Sequence, residues 1–167
     1  MARPSPMPEP PAHLAAAERH CRQLVRKRAL LAAGVAAVPV PGLDWATDVA
    51  ILLKLIPQIN LAFGLTDAQI ERLAPERKAV LLKAVSAGGS LLIGRLITRD
   101  LVLKALAAVG VRLTTQQAAK YVPVAGQALS ALLTYSALKW VCDQHIRQCL
   151  AVAQQLHLPA PVPAPSA

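Results

Sequence analysis

Cys142, His145 and Cys149 stand at i, i+3 and i+7 near the end of the chain, so in a helix they share one face. Thiolate and imidazole groups at that spacing could supply three zinc ligands, with Cys21 or His20 as a fourth from an earlier helix. The competing interpretation is structural. Cysteine is a common small core residue, and His145 would then be a surface side chain. That interpretation is preferred, so neither a metal nor a cofactor is expected. Three cysteines are an odd number, and no CxxC occurs. Disulfide scaffolding is therefore not expected, and a reducing cytosol fits.

Other chemistry is thinner. Gly89-Ser90-Leu91-Leu92-Ile93-Gly94-Arg95-Leu96 has the outline of a phosphate loop. However, Arg95 stands where the phosphate-binding Lys must be, and Leu96 where the magnesium-binding hydroxyl must be. Gly89 and Gly94 are better read as sites of close helix packing. No serine lies in a G-x-S-x-G elbow. Asp44 and Asp48 are the one close acidic pair on an apolar segment, and helix capping or an ion pair accounts for them better than acid–base work. No catalytic residue is assigned, and the chain is not expected to be an enzyme.

The basic residues carry the sharper functional signal. Arg19, Arg22, Arg26, Lys27 and Arg28 precede the small apolar run Ala29–Val38. Such a half-basic, half-apolar helix can rest on anionic headgroups while its apolar part inserts or packs. Composition agrees: net charge is +9, with 54% hydrophobic and only 16% charged residues. Apolar surface in such excess belongs to a large core, a partner face or a membrane face. Aromatic residues at 3% argue against base stacking, so no nucleic-acid partner is expected. Arg26-Lys27-Arg28 before an apolar run has the outline of a secretory signal, but the basic segment is long and no small-x-small cleavage site follows.

These residues need helices to position them. Ala and Leu dominate the apolar content and favour helix over strand. Residues 12–158 are expected to form one helical domain between two Pro-rich tails, 1–11 and 159–167. A first helix must stop by Val38, because Pro39 disfavours a helical residue before it. Pro39, Pro41 and Gly42 turn the chain into a long apolar helix, with Asp44 as N-cap and Pro57 as a kink. Asp44, Thr47, Asp48, Lys54 and Gln58 form its narrow polar stripe. Gly64 is placed to end it with φ > 0, and Thr66-Asp67-Ala68-Gln69 has the capping-box pattern of a new short helix. Pro75 opens the next, over Glu76–Ala87. Further helices are expected over Ser90–Thr98, Asp100–Val109 and Gln116–Val122. A last one should run from about Gly126 to His157, with Asp143, Gln144, Arg147, Gln148, Gln154 and Gln155 facing outward. Val122-Pro123-Val124-Ala125-Gly126 echoes Val38-Pro39-Val40-Pro41-Gly42, which suggests two similarly built hairpins.

The stretch VPVPGLDWATDVAILLKLIPQINLAFGLTDAQIERLA resembles the C-terminal helical region of the immunity-related GTPases, through Pro39, Pro41, Gly42, Asp48, Phe63, Gly64 and Leu65. KYVPVAGQALSALLTYSAL is similar to a later part of that region, through Pro123, Gly126, Thr134, Tyr135 and Leu138. A bacterial family of helical domains found fused to or beside Era-like GTPase domains, often membrane-associated, resembles the chain in the same places. The likeness covers roughly Leu30 to Asp143. Only a short basic helix and a Pro-rich tail precede it here, so GTP hydrolysis is not carried over. What the resemblance implies is a helical fold and contact with a membrane or a GTPase domain.

The expectation is thus an all-α bundle of about seven or eight helical segments broken at Pro or Gly. Its expected role is non-catalytic, bound peripherally or by shallow insertion at the cytoplasmic side of a membrane, with self-association through apolar hairpins. The alternative is a soluble cytoplasmic adaptor that docks a separate protein through its apolar face.

Overall fold

A computed structural model describes residues 12–37, 43–88, 92–93, 100–102, 104 and 123–157. Among the described residues the chain is helical, with no strand, so the all-α expectation holds. Five helices are defined: α1 (Ala12–Ala36), α2 (Leu43–Ala62), α3 (Asp67–Glu71), α4 (Pro75–Gly88) and α5 (Pro123–His157). The helices expected over Gln116–Val122 and most of Ser90–Thr98 and Asp100–Val109 lie outside the described residues, as do both Pro-rich tails and the Pro39-Val40-Pro41-Gly42 turn.

The core is built on the pairing of α1 with α5. On α1 the buried positions are Leu14, Cys21, Val25, Ala29 and Ala32, spaced by three, four and seven. On α5 they are Leu138, Val141, Cys142, His145, Ile146, Cys149, Val152, Ala153 and Leu156, a run of threes and ones along one stripe. His13 meets His157, with Nε2 atoms 2.9 Å apart, and Arg22 reaches Asp143, so the two helices run antiparallel. The small side chains of Cys21, Ala29 and Ala32 let the backbones approach. α2 lies against both, burying Leu52, Leu55, Ile56 and Ile59 almost completely. α4 adds Leu81 and Ala84 from the side of α5.

α2 continues through Pro57, whose ring removes one donor inside the helix. Asp44 lies within α2, and its side chain, with the capping role expected of it, lies outside the described residues. The end of α2 follows from local chemistry. Gly64 takes φ +72°, a conformation without penalty only for glycine. That reversal lets Leu65 N–H donate to the Asn60 carbonyl at 2.8 Å and Gly64 N–H to that of Leu61 at 3.2 Å. Two orphan carbonyls are thereby satisfied, and Leu65 is driven into the core. Thr66 then caps α3: its hydroxyl accepts from Gln69 N–H at 3.3 Å, while Gln69 Oε1 accepts from Thr66 N–H at 3.2 Å.

α5 differs from expectation at its start. It opens at Pro123, three residues before Gly126, so Gly126 sits inside the helix.

Candidate functional site

Of the residues that suggested zinc, His145 and Cys149 are brought into contact, but in a different arrangement. Cys142, His145 and Cys149 are all fully buried, and Cys21 on α1 joins them. His145 is therefore not a surface residue as expected. The group that organises it is Asn60, in the last turn of α2, itself only 3% exposed. Asn60 Nδ2 donates to the Leu92 carbonyl at 3.0 Å, so its Oδ1 must face α5. There His145 Nε2 lies 2.8 Å from Oδ1 and donates to it, which fixes the proton on Nε2. The Cys149 thiol donates to the same oxygen at 3.6 Å. The position of Asn60 depends on Gly64, since the turn that ends α2 holds the Asn60 carbonyl.

Protonation decides what this cluster can do. Burial holds His145 down at about 4, so the imidazole is neutral near pH 7. Burial pushes Cys21 up to about 11. Burial first, and Asp143 second, push Cys142 up to about 12. Cys149 is raised well above the usual thiol range by burial, and further by Cys21. Every thiol is therefore protonated. Cys149 Sγ lies 3.5 Å from His145 Nε2, but that nitrogen carries the proton and cannot act as the base a nucleophilic thiol requires. Among the described residues no three His, Cys, Asp or Glu side chains form a metal-holding group, and His20 is exposed. The cluster is a buried polar joint between α2, α5 and the Leu92 segment. His145 Nδ1 has no hydrogen-bond partner among the described residues.

The basic residues divide into two sets. Arg22 is held within the bundle: its guanidinium meets Glu18 at 2.7 Å and Asp143 at 3.4 Å, and Asp143 also pairs with Lys139. Asp143 is 7% exposed, so it does not face outward as expected, whereas Gln144, Arg147 and Gln155 do. Arg19, Arg26, Lys27 and Arg28 are exposed, with no ion pair among the described residues. Immediately after them Leu30 and Leu31 are 58% and 64% exposed. Leu30 lies one turn beyond Arg26 and Lys27, and Leu31 one turn beyond Lys27 and Arg28. Arg28 also borders a groove of about 310 Å³ between α1 and α2. Asp48, next in sequence to the lining residue Thr47 on α2, is half-buried. Thr47–Glu71 is long and apolar enough to cross a membrane, with mean hydropathy 1.6, but the Gly64 turn interrupts it and 44% of its apolar window is buried in the bundle. Its buried residues, among them Leu52, Leu55, Ile56 and Ile59, belong to the core.

The sequence reading missed Asn60. A signal was present: Asn60 follows Leu52 and Ile56 at helical spacing, away from the Lys54–Gln58 stripe. The chain matches no protein-family model, no curated protein and no solved structure.

Proposed function

We propose that this chain is a non-catalytic helical module that rests on an anionic membrane surface. The observation that carries it is the exposed end of α1, where Arg26, Lys27 and Arg28 are followed within one turn by Leu30 and Leu31. Basic side chains near an anionic leaflet contribute about 1 kcal/mol each, and a leucine entering the interface adds apolar burial. The net charge of +9 draws the whole molecule toward the same surface. Anionic lipid is concentrated on cytoplasmic leaflets, which gives the side and the peripheral mode. The VPVPG and VPVAG turns as openings of two similar hairpins, and the complement of seven or eight helical segments, belong to this proposal.

A second reading rests on Leu132 and Trp140, 60% and 46% exposed on α5. They make α5 a candidate face for a protein partner, and the likeness to GTPase-associated helices names a GTPase domain as its type.

Flotation of the full chain with vesicles separates the two. Membrane binding requires flotation with anionic phosphatidylglycerol vesicles and none with phosphatidylcholine alone. A protein left at the bottom of both gradients leaves only the adaptor reading.

A further inference from the structure

The groove between α1 and α2 pairs one cation from each helix. Arg28 borders it from α1 and Lys54 from α2, and none of its lining residues is acidic. Neither cation has an ion-pair partner among the described residues. Thr47 and Gln58 supply a hydroxyl and an amide along its wall, while Ile51 and Leu55 give it an apolar floor. Thr47, Lys54 and Gln58 recur at helical spacing on α2, so the polar groups line one side of the groove. On α1, Leu31 stands one turn beyond Arg28 and is exposed. Two cations without an ion pair among the described residues, over an apolar floor, complement an anion that carries hydrocarbon.

We propose that this groove seats the phosphodiester headgroup of a single anionic glycerophospholipid. Arg28 and Lys54 bracket the phosphate oxygens from the two helices, the Arg28 fork giving paired N–H donors. Ile51 and Leu55 take the first carbons of the lipid, and Leu31 continues that path toward the bilayer. The inference rests on the membrane reading and makes it more specific: diffuse basic attraction gathers the protein at the surface, and the groove holds one headgroup there.

The test compares two substitutions that remove the same charge from exposed positions. Lys54→Gln lies in the groove, and Arg77→Gln lies on α4 outside it. Binding of the full chain to vesicles containing phosphatidylglycerol is titrated, with circular dichroism confirming that each variant is folded. Lys54→Gln is expected to weaken binding about tenfold, the effect of losing a charge-assisted contact, and Arg77→Gln by no more than about twofold. Equal losses would overturn the groove while leaving the membrane reading intact. Wild-type protein that ignores the vesicles would remove both. Inorganic phosphate that binds the wild-type chain, with no vesicles present, as tightly as phosphatidylglycerol vesicles do would assign the groove to free phosphate and overturn the lipid assignment.

Discussion

Asn60 makes the point that one buried amide can set the alignment of three segments. Its Oδ1 serves His145 and Cys149 on α5, and its Nδ2 serves the Leu92 carbonyl. Asn60→Ala would leave those groups buried without partners, and each orphaned group costs about 1–3 kcal/mol. The expected loss is about 3 kcal/mol, seen as a fall in melting temperature of roughly 6–12 °C. A fall of about 1 °C would mean that the joint contributes no stability. His145 gives a second test. Its pKa is 6.5 when free and about 4 when folded, so between those values the unfolded chain binds more protons. Stability from this group is thus full at pH 7 and is lost as pH falls through 6.5 toward 4. Denaturant unfolding should show a loss of roughly 2 kcal/mol between about pH 7 and pH 5. In His145→Gln that slope should disappear while the amide still offers a donor to Asn60. An unchanged slope would place the titration elsewhere. The shared face of Cys142, His145 and Cys149 was legible from spacing. Its burial was not, because an imidazole is accepted in a core only when a partner from a distant segment satisfies it.

The helices record how far local chemistry reaches. Gly64, the Thr66–Gln69 capping box and Pro75 all act as their residue types require, since each is decided within a few neighbouring residues. α5 already includes Pro123, so it extends further toward the N-terminus than the expected start near Gly126. Two glycine substitutions should have opposite signs. A Cβ at either Gly64 or Gly34 meets nothing within 4 Å, so backbone conformation alone decides. Gly64→Ala is forced to keep φ +72° and should destabilise by about 1 kcal/mol. Gly34 lies in helical α1 and is exposed, so Gly34→Ala should stabilise by about 0.5–1 kcal/mol. Thermal melts of the two variants on the same side of wild type would contradict this.

At the scale of the molecule, the apolar content of the described residues is divided between a core and a set of uncovered leucines. The composition was legible as an excess, but the division was not, because burial in a bundle and presentation to lipid demand the same pattern. α2, the most hydrophobic segment, proves to be core, while Leu30 and Leu31 on the more polar α1 are exposed. Arg22 was grouped with the exposed cations by its neighbours in sequence, yet Asp143, 121 residues further on, draws it into the bundle. Replacing both Leu30 and Leu31 with Ser should therefore leave the melting temperature within about 2 °C of wild type, since little buried surface is lost. The same double variant should weaken binding to anionic vesicles by about tenfold or more, at about 1.4 kcal/mol per factor of ten. Loss of stability without loss of binding would put these leucines in the fold and not at the interface.

Peripheral membrane attachment is tested most directly by fractionating cells that express the full chain. The expected result is protein in the membrane pellet at low salt, released to the supernatant by about 0.5 M salt, where exposed charges are screened within a few ångströms. Protein found wholly in the supernatant at low salt, or held in the pellet until detergent is added, would contradict it.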